Sequence, residues 1–297
     1  MTKPSSTSWQ QIEIILSNIE ANALSDWLEG AALSISLIDA GNQPLFQQEP
    51  FHTPLWENIT IQVLFDESEN LSEILKELKI RFSTIQSIQI KHIENQDWVR
   101  LTQSQFAAQL FADRLWIIPS WDLTPQDGLK IVKIDPGLAF GTGNHPTTGL
   151  CLEWLAKQDL RDKKVMDFGC GSGILTLAAL ALGAKEAWAV DHDPQALEAT
   201  NNNAKLNNFI QNNLHIIDSG ALPEIKFDLI VANILANPLC ELEPLFFQKL
   251  AAQGLLVLSG ILNEEKAKIL KVYQTHFDLI DEHQKEDWIA LILRKKS

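Results

Sequence analysis

Cysteine is scarce in this chain: Cys151, Cys170 and Cys240 are odd in number and widely spaced along 297 residues. No disulfide framework or zinc spacing emerges from them, which fits a reducing, cytoplasmic setting. The seven histidines are scattered as well, so no metal site is expected. No wholly apolar run approaches the roughly 18 residues that a membrane-spanning helix needs. The polar start Met1-Thr2-Lys3-Pro4-Ser5-Ser6 is not followed by an apolar core, so no secretory signal is expected. Basic residues are also short, with 24 Lys and Arg against 38 Asp and Glu for a net charge of −14. The first hundred residues carry six basic against fourteen acidic side chains. Such a surface repels phosphate backbones and attracts basic partners, so direct nucleic-acid binding is not expected. Acidity also serves solubility, which is an equally good cause. What is present, 45% hydrophobic and 21% charged residues, is ordinary for a folded protein. The length suits two domains.

The most informative stretch is Val165-Met166-Asp167-Phe168-Gly169-Cys170-Gly171-Ser172-Gly173. Its apolar start follows a polar run and reads as a buried parallel strand. Residues 174–182 read as a helix stopped by Gly183, and residues 186–191 as a second strand with Asp191 at its carboxyl end. Strand, glycine turn, helix and acid-tipped strand make a nucleotide half-site in which the acid accepts two ribose hydroxyls. The glycines fall at every second position. A dinucleotide fingerprint would need a third glycine where Ile174 or Thr176 stands. The D-x-G-x-G-x-G spacing instead resembles the first motif of the S-adenosylmethionine methyltransferases. A dinucleotide dehydrogenase and a turn with no ligand are the alternatives.

In the first hundred residues, 9–16, 34–39, 59–65 and 84–93 read as strands. Residues 18–31 and 71–82 read as helices, the second entered through Asn70 as its cap. Ile19, Ala23, Trp27 and Leu28 are expected on one face of the first helix. The order βαββαβ suggests a ferredoxin-like domain over 1–95, with 41–56 as a surface insertion. Residues 97–112 look like a connecting helix within a linker at 96–114. Segments 115–119 and 130–135 read as a small antiparallel lead-in to the second domain, 115–297. There, strands at 165–168, 186–191, 214–218, 227–234, 255–258, 277–282 and 288–294 form a seven-stranded sheet. Asp193 and Pro194 mark a helix start as cap and first position. The last two strands run together through a short link, so an open α/β sheet with a reversed last strand is expected.

Asp135-Pro136-Gly137-Leu138-Ala139-Phe140-Gly141-Thr142-Gly143-Asn144-His145-Pro146-Thr147-Thr148 is the second strong signal. With the glycine motif and Val231-Ala232-Asn233-Ile234-Leu235-Ala236, it closely resembles the methyltransferase of large-subunit ribosomal protein eleven, the PrmA family. The resemblance runs from about residue 115 to the end, and more weakly into the front domain. It implies a Rossmann-like methyltransferase domain behind a ferredoxin-like substrate-recognition domain. It also implies S-adenosylmethionine as cofactor and methylation of lysine ε-amino groups and the N-terminal α-amino group of that ribosomal protein. By position, Thr148, Gly169, Asp191 and Asn233 match the family's cofactor contacts. The chain departs from the family at Asn144, Thr102 and Ala108, and the last two put the packing between domains in question. A monomer is expected.

Each residue also has a plainer reading. Gly169 would let the cofactor's amino-acid end lie against the backbone. Thr148 would hold its carboxylate from the first turn of a helix, although an ordinary helix start explains it too. Asn233 ends a buried strand and would position the target amine, where the plain reading is a polar strand end. Phe140 would cover the methyl group or fill the core. Cys170 reads as a small filler and His145 as structural, since neither has an evident catalytic partner. The sequence Asn233-Ile234-Leu235-Ala236 lacks the Asn-Pro-Pro-Tyr of amide methyltransferases, which disfavours glutamine methylation. A small-molecule N-methyltransferase and a non-catalytic module that binds the ribosomal protein are the competing functions.

Overall fold

The computed structural model describes residues 8–41, 56–94, 106–122, 128–135, 145–209 and 213–296. The chain divides into two units, Met1–Leu101 and Thr102–Ser297.

The front unit runs β1 (Ser8–Ser17), α1 (Asn18–Leu28), β2 (Ser34–Asp39), β3 (Asn58–Asp66), α2 (Leu71–Arg81) and β4 (Ser87–Glu94). Its sheet is antiparallel in the order β2-β3-β1-β4. Every second residue of the central pair is buried: Ile12, Ile14 and Leu16 on β1, and Ile59, Ile61, Val63 and Phe65 on β3. A slip of one residue would turn all of them to the other face, so this alternation pins the register Ile12↔Val63 and Ile14↔Ile61. Helix α1 packs Ala21, Leu24 and Leu28 onto this core. The face expected through Ile19 and Ala23 is wrong, and Ile19 is 83% exposed. Ile19 and Leu28 stand nine positions apart, about 180° around a helix, and cannot share a stripe. Asn70 caps α2 as expected, accepting from Ser72 N at 3.1 Å.

Two expectations about the connection also fail. Gln109–Phe111 is strand β5 rather than the end of a helix, while residues 95–105 lie outside the described residues. Ala112 and Asp113 take φ of 48° and 51°, which turns the chain back so that β5 pairs with β6 (Leu115–Pro119) and Phe111 is buried. Strand pairing here overrides helix propensity. Strand β7 (Lys130–Ile134) then pairs with β6 in parallel, not antiparallel. The segment between them is longer than a hairpin loop and carries the chain back to the same end. Leu115, Ile117, Val132 and Ile134 thereby join one apolar cluster.

The rear sheet comprises β8 (Lys164–Phe168), β9 (Glu186–Asp191), β10 (Leu214–Asp218), β11 (Phe227–Asn233), β12 (Leu250–Leu262), β13 (Phe277–Lys285) and β14 (Trp288–Lys295). Its order is β10-β9-β8-β11-β12-β14-β13, with β14 antiparallel to both neighbours and the other pairs parallel. Side chains alternate between two cores. Leu229, Val231 and Val257 pack with α3 (Pro146–Lys157) and α4 (Ile174–Ala181), near α5 (Pro194–Leu206). Ile230, Ala232 and Leu256 pack with α6 (Ala236–Lys249) and α7 (Lys266–Tyr273). Burial on both faces explains the near-continuous apolar runs of the strands. The order reverses between β8 and β11, and ligands collect at the carboxyl ends beside such a switch.

A titratable side chain, Asp167, lies deep inside this sheet. Asp167 is 2% exposed, and its Oδ2 accepts from Thr176 N at 3.0 Å and Thr176 Oγ1 at 2.7 Å. Its Oδ1 is buried with no partner among the described residues. Burial pushes the carboxyl up to about 7 from an ordinary 3.8, against the opposing pull of the Thr176 bonds. A folded-state pKa above the unfolded value means that folding favours the protonated acid. That stability is present at the acid end and is lost as pH rises through about 7. Relative to Asp167→Asn, the native chain should lose roughly 4 kcal/mol between those two pH values. Urea denaturation of both proteins at each end of the window checks this, and a constant difference between them would contradict it.

Candidate active site

A cavity of about 790 Å³ opens at the carboxyl ends of β8, β9, β11 and β12, within the range of small-molecule sites. Its walls come from the β8–α4 glycine turn, the end of β9, the segment after β11 and the first turn of α3. Thr148, Gly169, Asp191 and Asn233 all line it, so the four residues named from sequence meet in one place.

The turn is built on left-handed glycines, with φ of 77° at Gly169, 53° at Gly171 and 79° at Gly173. The amides of Gly169 and Cys170 both donate to Val190 O, at 2.8 and 3.1 Å, and so hold the turn against β9. A Cβ on Gly169 would lie 2.4 Å from Ile234 Cγ2. The protein's own packing therefore demands glycine here, whatever a ligand requires. Helix α5 grips the same turn, with Thr200 Oγ1 donating to Gly171 O at 3.0 Å and Asn203 Nδ2 to Ser172 O at 2.9 Å. Asn207 extends the stripe by exchanging bonds with Lys133 N and O at 2.7 Å each. Sequence reasoning missed these residues. Their signal was a row of polar side chains at i, i+3 and i+7 on a helix flanked by apolar strands.

Asp191 is 8% exposed at the tip of β9. Its Oδ1 accepts from His192 N at 2.8 Å and Asp193 N at 3.1 Å, and its Oδ2 from Gly171 N at 3.1 Å. A carboxylate has about four lone-pair sites, so this one keeps capacity on Oδ2 for a ligand hydroxyl. Asp193 does what was expected of it, capping α5 through Gln195 N at 2.9 Å.

Across the cavity, Asn233 Nδ2 donates to Thr148 Oγ1 at 3.2 Å. Thr148 is fully buried in the first turn of α3. Asn233 Oδ1 is buried and finds no partner among the described residues. Leaving such an acceptor unmet costs about 1–3 kcal/mol, which a ligand N–H or O–H can recover. His145 is the cap of α3: its Nδ1 lies 2.8 Å from Thr147 Oγ1 and accepts from Thr147 N at 3.4 Å. Its ring meets Trp288 edge-on at 4.9 Å, and partial burial holds its pKa below the usual range. Cys170 is buried with Sγ 3.4 Å from Thr200 Oγ1, and burial raises its thiol far above a nucleophile's range. Among the described residues, no group of three or more His, Cys, Asp or Glu could hold a metal ion. Thr102, Phe140 and Asn144 lie outside the described residues, and Ala108 sits just before β5.

A family model described as ribosomal protein L11 methyltransferase (PrmA) matches residues 8–296. The ribosomal protein L11 methyltransferase of Marinobacter nauticus is 42% identical over 294 residues, covering 97% of this chain and 99% of its own. That of Pasteurella multocida is 44% identical over 288 residues, covering 96% of this chain and 98% of its own. Among solved structures, a ribosomal protein L11 methylase from Lactobacillus delbrueckii subsp. bulgaricus is 34% identical with a TM-score of 0.59, spanning 65% of this chain and 100% of its own. With a match from the first strand of the front unit to the last strand of the rear sheet, the chain belongs to the ribosomal protein L11 methyltransferase (PrmA) family.

Proposed function

We propose that this methyltransferase uses S-adenosylmethionine to methylate lysine ε-amino groups and the N-terminal α-amino group of large-subunit ribosomal protein eleven, acting as a cytoplasmic monomer. The observation that carries the reading is the pairing of two half-used groups across one cavity. Asp191 is pinned by three amides with capacity left on Oδ2, and Asn233 carries a buried acceptor with no partner among the described residues. The first suits a ribose hydroxyl and the second suits the N–H of an incoming amine. The residue set fits the cofactor's parts: a glycine turn without a pyrophosphate fingerprint, an acid at the second strand end and a threonine at a helix start.

When bound, S-adenosylmethionine supplies a methyl carbon made electrophilic by its sulfonium. The chain's task is then to hold, orient and dry. Thr148 Oγ1 already accepts from Asn233, so its own proton is free to donate to a carboxylate. Asn233 Oδ1 accepts one amine N–H and turns the nitrogen lone pair toward the methyl. The backbone carbonyl of Leu235 already accepts from Leu239 N at 3.2 Å and keeps a second lone pair that suits the same work. Deprotonating a lysine at neutral pH costs roughly 4.6 kcal/mol, and the apolar walls from Phe168, Ile174, Leu175, Ile234 and Leu242 favour the neutral amine. No general base is assigned, since His145 is committed to its helix cap.

The front unit suits the role of substrate-recognition domain over residues 1–95. Its βαββαβ order and antiparallel β2-β3-β1-β4 sheet support the ferredoxin-like reading. Its acidity complements a basic ribosomal protein.

Asp191→Ala should weaken S-adenosylmethionine binding by roughly thirty- to a hundredfold, about 2–3 kcal/mol. Titration calorimetry reads this directly, and unchanged affinity would remove the ribose role. Asn233→Ala should lower kcat roughly ten- to a hundredfold with little change in thermal stability, because the lost bond to Thr148 Oγ1 offsets the removal of a buried unmet acceptor. A lower melting temperature with normal turnover would point to a structural asparagine. Deleting residues 1–95 should abolish methylation of the ribosomal protein and spare cofactor binding. A folded fragment that no longer binds the cofactor would refute this division of labour.

A further inference from the structure

Ile234 is held between two glycines from opposite walls of the cavity. The β11–β12 ladder ends at Asn233↔Ser259, yet Ile234 N still donates to Ser259 O at 3.1 Å. Strand β12 bulges at this point: Leu258 pairs with Leu291 and Ile261 with Ile289, so Ser259 and Gly260 together oppose Ala290. Gly260 has φ of 81°, and a Cβ there would lie 2.4 Å from Ile234 O and 2.8 Å from its carbonyl carbon. From the other wall, a Cβ on Gly169 would lie 2.4 Å from Ile234 Cγ2. The bulge itself is anchored, because the fully buried Ser259 hydroxyl donates to Ile289 O at 3.0 Å, with Thr147 O at 3.3 Å.

We infer that Gly260 is a positioning residue for methyl transfer: its bare backbone seats the Ile234–Leu235 peptide on the amine side of the cavity, and Ile234 couples that peptide to Gly169 in the cofactor turn. The inference rests on the amine-methyltransferase reading above and extends it to residues that contribute no side chain to the reaction. Bulges recur beside active sites because they re-aim local backbone. Here the re-aimed unit is the peptide that follows Asn233. The two glycine contacts differ in kind. Gly260 meets backbone, which no change of the Ile234 side chain can move aside. Gly169 meets the Ile234 side chain, which truncation removes.

The test uses the full chain with purified ribosomal protein eleven, and reads melting temperature, affinity for S-adenosylhomocysteine by calorimetry, and single-turnover methyl transfer. Gly260→Ala should slow transfer about tenfold or more while affinity stays within about threefold. Gly169→Ala should lose both affinity and transfer. Adding Ile234→Ala should recover part of the loss in the Gly169→Ala background and none in the Gly260→Ala background. Should Gly260→Ala fail to fold, Ser259→Ala releases the anchor without adding an atom, and should slow transfer about threefold or more with affinity retained. Normal transfer by the folded variant, or equal recovery by Ile234→Ala in both backgrounds, would overturn the inference. A native chain that binds S-adenosylhomocysteine but methylates no amine would instead refute the functional reading beneath it.

Discussion

Three backbone amides converge on the Asp191 carboxylate, and the geometry of the cavity follows from that convergence. Two of the amides belong to the chain just past β9 and the third to Gly171, so one side chain joins the end of a strand to the glycine turn of its neighbour. The join is charge-assisted, and each such bond contributes about 1.5–3 kcal/mol. It brings a negative charge to the lip of the cavity without leaving that charge unsolvated. The turn, once fixed, presents Gly169 to Ile234, and Ile234 in turn stands next to Asn233. The proposed cofactor wall and amine wall are therefore parts of one packed unit.

The opposite wall works by omission. Asn233 spends its amide N–H on Thr148 and leaves its carbonyl unmet. An amine arriving there needs an acceptor and a dry surface more than it needs a base, because the neutral nitrogen is already nucleophilic. On the proposed reading, a buried acceptor supplies orientation, and the surrounding apolar side chains supply the low dielectric that keeps the nitrogen neutral. Cys170 and His145, the residues most easily mistaken for chemistry, are taken up by packing and by a helix cap.

Much of this was legible in the chain of letters. Alternating and continuous apolar runs marked the strands of both units, and glycines at every second position marked the turn. The acid at the tip of a strand and the Asp193-Pro194 pair were each readable from the local chemistry of strand ends and helix starts. What escaped had physical reasons. The buried face of α1 was misread because Ile19 is apolar yet lies opposite Leu28 on the helix. Gln109–Phe111 carries residues tolerant of a helix, and the turn at Ala112 and Asp113 that pairs it with β6 has no strong local signature. The parallel pairing of β6 and β7 depends on which way a loop returns, which composition does not encode. Thr200 and Asn203 escaped because a helix that grips a neighbouring turn with side chains differs from a solvated one only in what it faces. The grip on Ile234 was invisible for a similar reason: Gly260 matters through backbone it approaches, and that neighbour is remote in sequence.

The central claim is that this cavity delivers a methyl group to a protein amine. Intact mass spectrometry of purified ribosomal protein eleven, incubated with the chain and S-adenosylmethionine, tests it most directly. The account predicts mass gains in whole methyl steps that vanish when the substrate's amines are blocked beforehand. A cofactor-loaded enzyme that produces no gain, or a gain that survives amine blocking, would contradict it.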